Sequence, residues 1–114
     1  MPEPTDPEDL KLVTLARSSR SRVAAAEGAA VRDTTGRTYA ATTVALPSLH
    51  LSALQAAVAA AVASGAEGLE AAAVVTEAAT ADADGMAAVR DLGGLGTPVV
   101  LADPTGEVRG TARV

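Results

Sequence analysis

The chain has 114 residues, a formal charge of −5, no cysteine, one histidine and one aromatic residue, Tyr39. One domain of this length buries roughly two-thirds of its unfolded surface around a single core. The lack of thiols excludes a disulfide framework, thiolate catalysis and thiolate metal sites. The acidic balance and near-absence of aromatic side chains argue against a surface for duplex or single-stranded nucleic acid.

Apolar residues make up 48% of the chain and are chiefly Ala, Val and Leu. Side chains that small fill a core only where backbones approach closely. The opening MPEPTDPEDL is acidic and proline-rich, without the basic and apolar regions of a secretory signal, so a cytoplasmic location is expected. The longest Ala/Val stretch breaks at Ser64-Gly65, well short of the ~20 residues of a membrane span. Residues 1–5 read as a flexible N-terminus and 6–114 as a single domain.

Asp6 before Pro7, with Glu8 and Asp9 following, is a helix start: Asp caps, Pro fits the first position and acids suit the positive dipole end. The helix should run into the low twenties, with Leu12, Leu15, Ala16, Ser19 and Val23 on its buried face and Arg17 and Arg20 on a solvated one. GAAVR, the turn Asp33-Thr34-Thr35-Gly36 and RTYAATTV form a β-hairpin signature. Ser48 is expected to cap a second helix that stops at Gly65. Its sequence, LHLSALQAAVAAAVAS, is apolar almost all round, which predicts burial on more than one side, in the core or between subunits.

LEAAAVVT, residues 69–76, reads as a strand covered on both faces. An acidic loop, TEAATADADG, leads to a short helix over 86–92, and a glycine run, 93–96, leads to the strand PVVLA. The turn Asp103-Pro104-Thr105-Gly106 precedes an edge strand over 108–114. The order α-β-β-α-β-α-β-β predicts helices packed on a mixed sheet. No internal repeat stands out.

That order and several stretches resemble the cytidine deaminase family: LARSSRSR its first helix, GAAVRDTTGRTYAATTV its opening hairpin, ALQAAVAAAVASGAEGLEAAAVV its central helix and third strand, and PVVLADPTGEV its fourth strand and turn. The resemblance spans nearly the whole chain from Leu10. It implies a three-layer α/β fold with a mixed sheet of about five strands and helices on both faces. In that family a Cys-Ala-Glu triplet opens the central helix, its Cys binding zinc and its Glu moving protons. Here Ser52, Ala53 and Leu54 stand in that place. The second motif, Pro-Cys-x-x-Cys, falls on Ala83, Asp84, Gly85, Met86 and Ala87, and the two residues that hold the ribose on Thr43 and Ala45. Zinc deamination needs three tight N or S ligands and a carboxyl to carry protons, so no metal, no cofactor and no catalysis are expected.

Other candidates are weaker. His50 and Ser52, two apart on a helix, would not face each other. His50 could meet Asp84 across two helix starts as a metal or anion site. Glu77, Asp82 and Asp84 crowd one loop but lack the alternation of a calcium loop. Gly93-Gly94-Leu95-Gly96 does not open a helix after a strand, as a phosphate loop does. Helix starts near Ser48 and Asp84 should point free N–H groups into the former pocket, unless Leu54 and alanines fill it.

Three functions follow. The first is a catalytically silent scaffold or regulator acting through protein contacts. It resembles a small bacterial group encoded beside a ribosome-assembly GTPase, which implies such a partner. The second is a module binding a nucleoside or small anion at Thr43, Ala45, His50, Ser52, Leu54 and Asp84. The third is a deaminase or other hydrolase, as the family name alone would have it. Homo-oligomerisation, as a dimer or as the tetramer the resemblance implies, is expected from the apolar central helix.

Overall fold

In a computed structural model, residues 6–114 are described; the expected flexibility of residues 1–5 lies outside them. Ten elements follow in chain order: α1 (Pro7–Val23), β1 (Gly28–Asp33), β2 (Thr38–Thr42), β3 (Val44–Leu46), β4 (Leu49–Leu51), α2 (Ala53–Ala63), β5 (Leu69–Val75), α3 (Ala83–Gly93), β6 (Pro98–Ala102) and β7 (Val108–Arg113).

A five-stranded sheet in the order β2-β1-β5-β6-β7 forms the middle layer. Only β5 and β6 run parallel, and α3 joins them; the other pairs are antiparallel. Strand alternation divides the core in two. Ala30, Ala73, Val75, Val100 and Ala102 meet Leu12, Val13 and Ala16 of α1 on one face. Ala29, Val31, Ala72, Val74 and Val99 meet Ala53, Leu54, Ala57, Val58 and Ala61 of α2 and Val89 of α3 on the other. This is the mixed sheet with packed helices expected from the element order, in the three-layer α/β form that the resemblance implies.

Small side chains bring the layers close. Gly28 lies so near α1 that a Cβ there would overlap the Ala16 carbonyl oxygen. Asp6 caps α1, its Oδ1 accepting from Glu8 N at 2.8 Å, with Pro7 in the first helical turn. The buried face of α1 is Leu12, Val13, Ala16 and Ser19, whereas Leu15 and Val23 are exposed. Leu15 and Val23 therefore lie outside the buried stripe, and Val13 takes Leu15's place in it, packed with Leu12 and Ala16 against the sheet. No helix among the described residues is long and apolar enough to cross a membrane.

Two turns of the sheet are built alike, a repeat missed in the sequence. Asp33-Thr34-Thr35-Gly36-Arg37 joins β1 to β2, and Asp103-Pro104-Thr105-Gly106-Glu107 joins β6 to β7. Asp33 Oδ1 accepts from Thr35 N at 2.9 Å and Arg37 N at 3.0 Å; Asp103 Oδ1 accepts from Thr105 N at 2.9 Å and Glu107 N at 3.1 Å. Gly36 and Gly106 supply φ values of +90° and +91°, which side chains resist.

Candidate functional site

Residues 44–51 are not the start of the second helix. VALPSLHL makes a two-stranded hairpin, β3 with β4, pairing Val44 with Leu51, Ala45 with His50 and Leu46 with Leu49 around Pro47-Ser48. Four apolar residues alternate along one hairpin face, a period of two that a helix cannot accommodate. Ser48 is therefore in the turn, and Ser52 caps α2. Its Oγ accepts from Gln55 N at 3.2 Å and Gln55 Oε1 accepts from Ser52 N at 2.9 Å. This Ser-x-x-Gln capping box was the available signal.

The third helix, by contrast, begins earlier than expected, at Ala83, with Asp82 as its cap. Asp82 Oδ2 accepts from Gly85 N at 2.7 Å. Each helix start thus ties one leading N–H group, Gln55 N in α2 and Gly85 N in α3, to the side chain of its own cap.

The two starts touch. Leu54 is 1% exposed and Ala53 is fully buried. A Cβ built on Gly85 would lie 2.7 Å from Leu54 Cβ, 3.1 Å from Ser52 Oγ and 3.2 Å from Asp82 Oδ2. Zinc in the family fold would need N or S donors here. The positions hold Ser52, Ala53, Leu54, Ala83, Asp84, Gly85, Met86 and Ala87, and the space between the helices is taken by a leucine and a glycine backbone. The residues do not fit the metal.

The other expected residues are spread apart. His50 and Ala45 are exposed partners on the hairpin. Asp84 is exposed in the first turn of α3, and no hydrogen bond or ion pair joins it to His50 among the described residues. Glu77 turns to Arg20, 3.5 Å away, and Asp82 is the cap, so the acidic loop does not gather its carboxylates. No group of three or more His, Asp or Glu able to hold a metal occurs among the described residues.

Thr43 opens on a cavity. Its N–H donates to Glu27 O at 3.2 Å and its Oγ1 accepts from Glu27 N at 3.0 Å. With Arg20, Ala26, Glu27, Thr76 and Glu77 it lines a groove of about 340 Å³ at the end of the sheet. Thr76 is buried, its Oγ1 accepting from Ala78 N at 3.1 Å. The groove pairs one guanidinium with two carboxylates and hydroxyls already used within the fold, and it has no nucleophile with a neighbouring base.

The strongest charge perturbation lies in a turn. The Thr35 hydroxyl, with Tyr39 OH and the Arg37 and Thr35 amides, outweighs desolvation and holds Asp33 at about 2; the bond to Asp33 in turn raises Tyr39. Asp103 is lowered in the same way, first by Thr105. Both carboxylates work on turn structure.

Comparison with solved structures shows the same fold. The chain is similar to a cytidine deaminase from Burkholderia pseudomallei, with 24% identity, a TM-score of 0.78 and 90% of each chain covered. It is also similar to a cytidine deaminase from Mycobacterium leprae, with 19% identity, a TM-score of 0.68 and 90% of each chain covered. No curated protein matches. A family model described as "Cytidine deaminase-like" matches residues 5–106, and the chain therefore belongs to the cytidine deaminase-like family.

Proposed function

We propose that this protein does not deaminate and instead works through contacts with other proteins, as a scaffold or regulator. The observation that carries this reading is the closed junction of α2 and α3, where Leu54 and the Gly85 backbone fill the space. The chain also has no cysteine to bind zinc. Deamination by this fold needs a metal-activated water and a proton-carrying carboxyl at that junction. Ligands, acid and space are lacking together at that junction, which leaves contacts made by the surface of the fold as the reading.

The test is direct. Purified protein is assayed for zinc by elemental analysis and for conversion of cytidine to uridine. Substoichiometric zinc and no turnover above the uncatalysed rate are expected; one tightly held equivalent of zinc with turnover refutes the reading. Protein partners follow as a second measurement, with a ribosome-assembly GTPase as the first candidate and self-association as the simplest contact.

A second reading, a small-ligand module, is favoured by the groove beside Thr43. Thermal-shift titration with nucleosides and nucleotides separates the two, since a ligand bound only by the folded protein raises Tm with the logarithm of its concentration.

A further inference from the structure

Among the described residues α1 is the one helix on its face of the sheet. Its inner side, Leu12, Val13, Ala16 and Ser19, faces the core. Its outer side is exposed from Leu10 to Arg22, and the charge of that side is unlike the rest of the molecule. No acid occurs between Asp9 and Glu27, a stretch that holds Lys11, Arg17, Arg20 and Arg22 in a chain of net charge −5.

The two arginines expected together on the solvated side part company. Arg20 turns to Ala26 and Glu77, its Nε donating to Ala26 O at 3.1 Å and its Nη2 to Glu77 Oε2 at 3.5 Å. Arg17 and Arg22 instead line a groove along the outer side together with Thr14, Ser18 and Ser21. Neither Arg17 nor Arg22 has an ion-pair partner among the described residues, yet both are held in place. A Cβ on Gly106 would lie 3.2 Å from Arg17 Cδ, so the stem of Arg17 rests on the β6–β7 turn. Arg22 Nη2 donates to Ser19 Oγ at 3.4 Å. A side chain already positioned loses less freedom when a ligand takes it.

Residues seven apart on a helix lie on nearly the same line, two turns or about 10.5 Å along the axis. Leu10 and Arg17 make one such line and Leu15 and Arg22 another, and the small hydroxyl residues lie between them as a floor. Leu10 and Leu15 are 41% and 36% exposed. Each wall of the groove thus carries a leucine toward the start of the helix and an arginine two turns on. The helix dipole accounts for cations in the last turn, where Arg20 and Arg22 stand. It accounts neither for Arg17, which precedes that turn, nor for two leucines in water.

We infer that this side of α1 docks an acidic amphipathic helix of another protein. The inference rests on the reading that this protein works through protein contacts, and it names the surface and the chemistry of what that surface takes. The small floor lets a second helix approach closely. Apolar side chains of the partner meet Leu10 and Leu15, and carboxylates about two turns along meet the forks of Arg17 and Arg22, whose geometry matches a carboxylate. A phosphate backbone would use the arginines and leave both leucines wet, and the acidic remainder of the chain repels a long polyanion. The leucines fix where the partner lies, and the arginines select its charge.

The probe is a fluorescently labelled helical peptide of about three heptads with leucine at a and d and glutamate at e and g, titrated with the whole protein and followed by anisotropy. Saturable binding that weakens as salt rises is expected. Arg17→Glu combined with Arg22→Glu should weaken it about tenfold or more with the circular dichroism spectrum retained. Leu10→Ser combined with Leu15→Ser should weaken it at high salt as well as low. Arg90→Glu, at an exposed position of α3, should leave it unchanged. Absence of binding overturns the proposal, as does binding that survives the double charge reversal, or equal binding of the same peptide with lysine in place of glutamate. Binding of a single-stranded oligothymidylate that depends equally on Arg17 and Arg22 would give the face to nucleic acid, and a lower mass of the charge-reversed protein in light scattering would give it to a second copy of this chain; either result overturns the proposal. Peptide binding together with cytidine turnover would refute the proposed function and keep the surface, whereas neither binding nor turnover would refute the surface alone.

Discussion

Replacing Leu54 by Glu restores the family's acidic residue type at the position its motif assigns, and the structure says what happens there. Leu54 is 1% exposed, and the atoms over it belong to Gly85. Losing a fully buried leucine costs about 2–3 kcal/mol. A carboxyl in that space has no partner, so it folds in neutral; at pH 7, against an ordinary value of about 4.3, this costs about 3.7 kcal/mol. The total, about 6 kcal/mol, matches the whole stability of many small domains.

The two contributions separate by pH. The folded-state pKa of this Glu is raised above its unfolded value, so its penalty is absent below about 4.3 and grows by about 1.4 kcal/mol per pH unit until the folded group ionises. Urea unfolding of the parent, Leu54→Glu and Leu54→Gln at about pH 4.5 and about pH 7 is the assay. Leu54→Glu should lose a further ~3 kcal/mol between those pH values relative to the parent, and Leu54→Gln should show no such slope. A pH-independent loss below about 1 kcal/mol would mean a hydrated, open pocket and would refute the closed junction.

Three further outcomes are expected. Gly85→Ala should destabilise by about 1–3 kcal/mol in urea unfolding, because its Cβ would stand 2.7 Å from Leu54 Cβ. Ser52→Ala should cost about 1 kcal/mol of thermal stability, since it removes the cap on Gln55 N, and Ser48→Ala should cost little. Asp33, held at about 2 against an ordinary 3.8, contributes stability above pH 3.8 that disappears as pH falls through its folded value. Acid unfolding of Asp33→Asn should therefore lack that part of the pH dependence, with a lower plateau at neutral pH.

Local signals in the sequence were sufficient wherever a feature is settled within one turn of chain. Asp6-Pro7 starts α1, the valine-ending run makes the central β5, and Gly36 permits the β1–β2 turn, because caps, periodicity and positive φ act between near neighbours. The missing thiolates are likewise plain from composition. The same signals misplaced the start of α2, because VALPSLHL is apolar enough for a helix lead-in and its alternation becomes decisive only once β3 and β4 pair. The buried face of α1 also moved from Leu15 to Val13, since the sheet beneath it sets the rotation. Only tertiary structure decided the state of the former pocket: Leu54 and Gly85 are distant in the chain, and their contact exists because β5 and α3 return the second helix start to the first.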